Sequence, residues 1–103
     1  MPSVARAKLV CESGSDSGKT FYVWEEETLI GRGDNATIPL GSPKISRRHA
    51  RLIFDGTRFY LEDLGSTNGT FLNDNRILSR TPLDWGSTIR LGNETKIRFY
   101  AAQ

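Results

Sequence analysis

Cysteine and histidine are almost absent from this chain, since Cys11 and His49 are the single representatives of their kinds among 103 residues. One cysteine cannot form an internal disulfide, which excludes a disulfide scaffold and fits a reducing compartment. A structural zinc site needs about four cysteine or histidine ligands, so a closed zinc site is excluded too. The sequence predicts no metal and no other cofactor, and it predicts that Cys11 is a small buried hydrophobe in a strand.

Long apolar runs are absent as well. No stretch of about 20 apolar residues occurs, which argues against a membrane span. The first residues, from Met1 to Arg6, also lack the apolar segment of a secretory signal. We therefore expect a cytoplasmic location and no membrane insertion.

Net charge is small, at +2, which argues against a general binder of nucleic acids or other polyanions. The distribution is uneven, however. Residues 31–54 alone carry a net charge of +4, whereas Glu25, Glu26 and Glu27 precede them as an acidic run. A solvated face is one interpretation of the basic stretch and a binding surface is the other. The five cations of the stretch are Arg32, Lys44, Arg47, Arg48 and Arg51.

Helical periodicity is hard to find, and short apolar or alternating stretches recur between turn residues instead. This pattern, on a chain long enough for one domain, predicts an all-β antiparallel sandwich of about ten to eleven short strands over residues 1–103, with its core at about 5–100. Asp55-Gly56 between two such stretches indicates a hairpin. The predicted strands are Ala5–Cys11, Lys19–Val23, Thr28–Gly31, Thr37–Pro39, Ala50–Phe54, Phe59–Asp63, Thr70–Leu72, Arg76–Ile77, Thr88–Leu91 and Lys96–Tyr100.

Three segments combine residues that bind phosphate: Gly31-Arg32, Ser46-Arg47-Arg48-His49 and Leu64-Gly65-Ser66-Thr67-Asn68-Gly69-Thr70. A guanidinium offers a planar fork of donors to a phosphate and stays charged at every relevant pH. Hydroxyls and loop N–H groups can complete the shell around the phosphate oxygens. All three segments lie in predicted loops or at the strand ends beside them, where binding residues concentrate.

These segments, followed by Asp84-x-Gly86-x-x-Ile89-x-Leu91-Gly92, resemble the forkhead-associated (FHA) domain, a family that binds phosphothreonine peptides. The resemblance covers roughly Ala5 to Tyr100 and is specific through the order and spacing of its four blocks. It implies an FHA/SMAD-like sandwich with recognition loops at one end. The chain departs from the pattern at Asp74, where glycine is usual, and we expect this to affect the following turn.

By the same resemblance, Arg32 is the principal phosphate ligand and Ser46 binds the phosphate through its hydroxyl. Arg47 lies beside the phosphate. Thr67 contacts the phosphate and the γ-methyl group of the phosphothreonine, and Asn68 holds the peptide backbone just after it.

The resemblance also implies residues that act around the phosphate site. His49 orders the two recognition loops, and Gly31, Gly65 and Gly69 support the loop backbone. Lys44 matches a position that in some members contacts the third residue after the phosphothreonine.

The expected function is phosphothreonine-dependent peptide binding in kinase-linked signalling, without catalysis. The partner is then a phosphothreonine-containing protein, either a substrate of a Ser/Thr kinase or an autophosphorylated kinase. The alternative is a phosphorylation-independent interaction or oligomerisation module on the same fold. An enzyme using Ser46 and His49 lacks the Gly-x-Ser-x-Gly nucleophile turn, and single-strand nucleic-acid binding is the remaining rival.

Overall fold

The computed structural model describes residues 4–102 and contains two β-sheets with eleven strands in chain order. The first sheet has six strands in the order β2-β1-β11-β10-β7-β8, and the second has five in the order β4-β3-β5-β6-β9. The strands are β1 (Ala7–Cys11), β2 (Thr20–Val23), β3 (Glu27–Gly31), β4 (Ile38–Pro39), β5 (Ala50–Phe54), β6 (Phe59–Asp63), β7 (Thr70–Leu72), β8 (Asn75–Arg76), β9 (Thr81–Leu83), β10 (Thr88–Leu91) and β11 (Thr95–Ala101).

The predicted all-β sandwich is confirmed, with two differences in detail. The sequence did not predict β9, which pairs only with β6 at the edge of its sheet. Its central residue is Pro82, which removes a backbone donor and is tolerated at an edge. The short β4 also runs parallel to β3, while the other strand pairs are antiparallel. Within residues 4–102, no helix has the length and apolar character needed to cross a membrane.

Alternating side chains of both sheets form the core. In β10, Ile89 and Leu91 are buried while Thr88 and Arg90 are partly exposed, which is the two-residue period of a strand with one face inward. Cys11 lies in this core, as the sequence predicted, and burial raises the pKa of its thiol to about 11. The largest fully buried side chains are Phe99, Leu9, Ile30, Ile38, Leu40, Ile45, Leu52, Leu61, Ile89, Leu91, Ile97 and His49.

Strand ends bring three loops to one end of the sandwich. Ala50 pairs with Ile30 on one side and with Asp63 on the other, so the end of β3, the start of β5 and the end of β6 are neighbours. In the other sheet, β7 begins at this same end because it follows the loop after Asp63. The loops at residues 32–37, 40–49 and 64–69, named here the recognition end, contain or border the three segments that the sequence predicts to bind phosphate.

The turn between β7 and β8 holds Asn73 and Asp74 in the left-handed region, at φ 48° and 69°. Two-residue hairpin turns of this kind favour glycine because L side chains are strained there. Asp74 itself therefore adopts the conformation for which glycine is better suited.

We expect Asp74→Gly to raise the free energy of unfolding by about 0.5 kcal/mol, as release of strain exceeds the entropy that glycine adds to the unfolded chain. The Asp74 carboxylate is 87% exposed and lies 3.9 Å from Arg90, so its removal costs little. Urea denaturation of Asp74→Gly beside Asp74→Ala checks this, since alanine removes the carboxylate without relieving the strain. Equal stability of the two variants would contradict the explanation.

Candidate functional site

His49 connects two of the three loops at the recognition end. It is completely buried, and its Nδ1 accepts the backbone N–H of Ser46 at 3.0 Å. The ring proton therefore sits on Nε2, which donates to the carbonyl oxygen of Gly69 at 2.9 Å. Burial lowers the pKa of His49 more than the bond to Gly69 and the charge of Asp63 raise it, so the ring is held neutral. The loop at 40–49 is thereby fixed to the loop at 64–69.

Two further hydrogen bonds join the same loops closer to the surface. The backbone N–H of Thr67 donates to the hydroxyl oxygen of Ser46 at 3.1 Å. The amide nitrogen of Asn68 donates to the carbonyl oxygen of Lys44 at 2.7 Å. The hydroxyl proton of Ser46 and the amide oxygen of Asn68 are not used in these bonds, so both groups can still bind a ligand.

Arg32 reaches the same place from the end of β3. Its backbone N–H donates to the carbonyl oxygen of Ser46 at 3.1 Å, and its Nε donates to the carbonyl oxygen of Ile45 at 3.0 Å. These bonds orient the guanidinium along the loop and leave its two terminal nitrogens available.

Gly31 permits this close approach. A Cβ atom at Gly31 would lie 2.2 Å from the carbonyl oxygen of Arg47 and 2.8 Å from its carbonyl carbon, distances that real Cβ atoms essentially never show. Only a residue without a side chain lets β3 end against the Ser46-Arg47 backbone. Packing thus explains the glycine of the Gly31-Arg32 pair, and the chemistry of the guanidinium explains its arginine.

Asp63 organises the third loop, and the sequence analysis did not identify it. Its carboxylate accepts the hydroxyls of Ser66 and Thr70 at 2.5 and 2.6 Å and the backbone N–H groups of Gly65 and Ser66 at 3.0 and 3.1 Å. Burial raises the pKa of Asp63, but these four donors outweigh burial and hold it below its usual value. An aspartate two and three residues before donors in a Gly-Ser turn is the signal that could have found it.

Ion pairing separates the cations of the basic stretch. Arg51 is bound to Glu62 at 2.6 Å and to Glu27 at 3.0 Å, so it belongs to an ion-pair network. Lys44 lies 3.2 Å from Glu94, with both side chains about half exposed. In the part of the chain that the structure describes, no carboxylate lies within 4.0 Å of the three remaining cations. These are Arg32, Arg47 and Arg48.

The structure thus brings the predicted site residues together at the recognition end. The side chains of Arg32, Arg47, Thr67 and Asn68 are exposed, and that of Ser46 is partly so. Gly65 and Gly69 take positive φ values of 78° and 88°, which glycine adopts freely. The arrangement is an open, positively charged rim with hydroxyl and amide groups, suited to bind an anion on an extended chain.

We expect His49→Ala to lower the free energy of unfolding by about 3 kcal/mol, because it leaves the Ser46 N–H and the Gly69 carbonyl without partners inside the fold. His49→Gln should be less destabilising, since its amide can still donate to Gly69. Thermal denaturation measures both. A His49→Ala variant that melts like the parent would contradict the bridging role.

The pH dependence of the free energy of unfolding is a second test of the His49 hydrogen bonds. His49 is the only histidine, and its folded pKa is lowered, so its contribution to stability is complete above the unfolded value of about 6.5 and is lost as pH falls through the folded pKa. This pH dependence should be absent from His49→Ala. If the parent chain were equally stable above the unfolded pKa of His49 and below its folded pKa, the assignment of a neutral, hydrogen-bonded ring would be wrong.

Comparisons with known proteins identify relatives of the chain. The model of the FHA domain family matches residues 28–92. FHA domain-containing protein FhaB of Mycobacterium tuberculosis is 39% identical over 84 residues, which is 82% of this chain and 54% of FhaB. This chain spans about half the length of the first curated relatives that it matches.

Solved structures that are similar to this chain also include FHA domains. An FHA domain from a study of phosphothreonine-dependent FHA domain interactions is 36% identical, with a TM-score of 0.79 over 90% of this chain and 95% of that one. Mycobacterium tuberculosis EmbR, in complex with a low-affinity phosphopeptide, is 32% identical, with a TM-score of 0.84 over 95% of this chain and 25% of EmbR.

Proposed function

The chain belongs to the forkhead-associated (FHA) domain family, and we propose on this basis that it binds phosphothreonine peptides in kinase-linked signalling, without catalysis. FHA domains are non-catalytic binding modules. One observation carries the proposal for this chain. The Arg32 guanidinium, free of any carboxylate partner among residues 4–102, is held by its Nε bond to the Ile45 carbonyl, and the close approach at Gly31 lets the Arg32 backbone N–H bond to the carbonyl of Ser46.

In the proposed complex, Arg32 donates a fork of hydrogen bonds to the phosphate and Ser46 donates its hydroxyl proton. Thr67 and Arg47 complete the shell. The phosphate carries a charge of about −1.5 to −2 at pH 7 and offers three strong acceptor oxygens. Hydrogen bonds to charged groups contribute roughly 1.5–3 kcal/mol each, so three or four of them supply most of the affinity. An unmodified threonine offers none of them, which makes phosphorylation the switch.

Neighbouring side chains hold the peptide. Asn68 is oriented by its bond to Lys44, and its amide oxygen accepts a peptide N–H just after the phosphothreonine. Lys44 is the candidate residue for recognising the third position after the phosphothreonine. Its ammonium group also forms an ion pair with Glu94. The threonine methyl group packs beside Thr67, and burial of one such group gives about 0.8 kcal/mol of preference over phosphoserine.

The partner that we propose is a phosphorylated substrate of a Ser/Thr kinase or an autophosphorylated kinase, without nucleic acid. This agrees with EmbR, the relative solved with a phosphopeptide. We also propose a cytoplasmic location for the chain, because its single cysteine is free and cannot form an internal disulfide, which fits a reducing compartment. The organisation into one domain over residues 1–103 is part of the same proposal.

An oriented phosphothreonine peptide library identifies a ligand, which is then synthesised with phosphothreonine, phosphoserine and threonine at the central position. Fluorescence anisotropy should show the phosphothreonine peptide binding at least about 100-fold more tightly than the unmodified one, because the latter cannot form the hydrogen bonds to phosphate. The phosphoserine peptide should bind about fourfold more weakly, from the missing methyl group. Equal binding of modified and unmodified peptides would favour the phosphorylation-independent module, and release of phosphate would indicate an enzyme.

A further inference from the structure

An aromatic cavity of about 410 Å³ opens at the end of the sandwich opposite to the recognition end. Phe54, Phe59 and Phe99 line it, and the ring centroid of Phe59 lies 4.8 Å from that of Phe54 and 5.2 Å from that of Phe99. Trp85 stacks on Phe99 at 4.9 Å and forms the rim, where it is 56% exposed. A large exposed aromatic side chain beside an apolar cavity indicates a surface for association.

The cavity is separate from the phosphate site. Strand β5 leads from the buried His49 to Phe54 over five residues, and β6 returns from Phe59 to Asp63. At about 3.3 Å per residue the two ends lie roughly 15 Å apart. A peptide held by Arg32 and Ser46 therefore leaves the cavity uncovered.

Charges of both signs lie around the cavity. Arg58 and Asp84 in its lining pair with each other at 3.4 Å, and three further charges near it are unpaired among residues 4–102. The Arg6 guanidinium lies 4.7 Å from the Phe54 ring centroid, and its Nε donates to the carbonyl oxygen of Trp24. Glu25 and Glu26 follow Trp24 along the chain, and the backbone carbonyl oxygen of Glu26 accepts the backbone N–H of Phe54 at 2.8 Å, which places this acidic segment beside the same surface. In the described part of the chain, none of Arg6, Glu25 and Glu26 has an ion-pair partner within 4.0 Å.

Such a surface is complementary to itself. A partner of one charge sign would be attracted by one half of it and repelled by the other. A second copy, turned by a two-fold rotation, places the cation of each chain against the carboxylates of the other, so that every contact occurs twice. The small net charge of +2 gives little repulsion between copies.

We propose that this end is a homodimer interface, in which the cavity beside Trp85 in each copy receives the exposed Trp24-Glu25 edge of the other. Trp24 supplies the apolar part of that edge, at 38% exposed, and Glu25 pairs with Arg6 of the opposite copy. The recognition ends then face away from each other. The dimer presents two phosphate sites, which favours partners phosphorylated twice.

Sedimentation velocity over roughly 10 µM to 1 mM should show a monomer–dimer equilibrium, in the range of weak interfaces. Over the same range the Trp85 indole N–H resonance should shift with concentration. A chain that remains a monomer at about 1 mM overturns the proposal and assigns the cavity to a different protein.

Charge exchange tests the pairing itself. Arg6→Glu and Glu25→Arg should each weaken the dimer at least about tenfold, because each places like charges opposite each other twice. An equimolar mixture of the two variants should restore dimers to within about threefold of the parent, since opposite charges meet again at both contacts. Lys96→Glu, an exposed cation on the recognition side of β11, is the matched control and should leave the dimer unchanged.

Failure of the mixture to restore the dimer would overturn the assignment of these contacts. If Arg6→Glu lowers the melting temperature, Lys8→Glu with Glu26→Lys provides a second pair under the same criterion, since Lys8 lies beside Tyr100 and Trp85 on the same surface. Phosphopeptide affinity measured on monomeric samples should be the same for all variants, so loss of dimerisation and loss of the proposed phosphate site are distinguished.

Discussion

Arg32→Ala should reduce phosphothreonine-peptide affinity by at least about 100-fold while the chain stays folded. The change removes the two free guanidinium nitrogens, and charge-assisted bonds of this kind contribute roughly 1.5–3 kcal/mol each, whereas 1.4 kcal/mol corresponds to a factor of ten. Stability should fall by less than about 1 kcal/mol, because the side chain makes one hydrogen bond within the fold, from Nε to the Ile45 carbonyl. Isothermal titration calorimetry and thermal denaturation of the same sample measure both quantities.

Two controls make this result specific. Arg48→Ala removes an exposed cation of the neighbouring 40–49 loop that also lacks a carboxylate partner in the described chain, and it should change affinity by less than about threefold. Arg32→Lys keeps the charge and removes the planar fork, so an intermediate affinity is expected. Tight binding by a folded Arg32→Ala variant, or equal effects of Arg32→Ala and Arg48→Ala, would show that Arg32 is not the principal ligand.

Gly31→Ala should have a large effect on both the fold and the peptide affinity at the recognition end. The new Cβ would lie 2.2 Å from the Arg47 carbonyl oxygen and 2.8 Å from its carbon, so the backbone of β3 or of the 40–49 loop must move. We expect the free energy of unfolding to fall by about 3 kcal/mol, at the upper end for overpacking, and the melting temperature to fall by about 10 °C or more. Phosphopeptide affinity should fall at least about tenfold as well, because Arg32 moves with the strand end.

Gly41→Ala is the matched control for this variant. A Cβ atom there has its nearest neighbour at 3.8 Å, on the Asp16 carboxylate, which is ordinary contact. We expect a change within about 1 kcal/mol and unaltered peptide binding. If the two substitutions had equal effects, the loss of stability would come from replacing a glycine as such and not from the clash at Gly31.

Local pattern was sufficient for most of the fold. Apolar and polar residues alternate in Thr88–Leu91, and this alternation predicted β10. In a strand, the two-residue period alone decides which side chains face the core. The same reasoning could not find β9, since Pro82 and its short length give no alternation. That segment is a strand because the exposed edge of β6 pairs with it, which is a tertiary effect.

The site was predictable as a set of residues but not as an arrangement. Loop composition singled out three segments, and the resemblance to the FHA family named Arg32, Ser46 and Thr67 within them, which the structure places at one end. Asp63 was missed, because its role consists of four hydrogen bonds that exist only when the 64–69 loop is folded back on it. The sequence alone does not distinguish an aspartate that accepts these four hydrogen bonds from one that accepts none.

The sequence by itself determined the all-β sandwich, the family of the chain and the candidate residues of the site, since these depend on short periodic patterns and on the order of motifs. Only the tertiary structure decided which charges are available. Arg51 is neutralised by Glu27 and Glu62, and Lys44 by Glu94, at separations of up to 50 residues along the chain. Strand register brings these partners together, and an ion pair depends on distances of a few ångströms that no local pattern specifies. The same register leaves Arg32 unpaired beside Ser46, and it brings Arg6, Phe54 and Trp85 around one cavity at the other end.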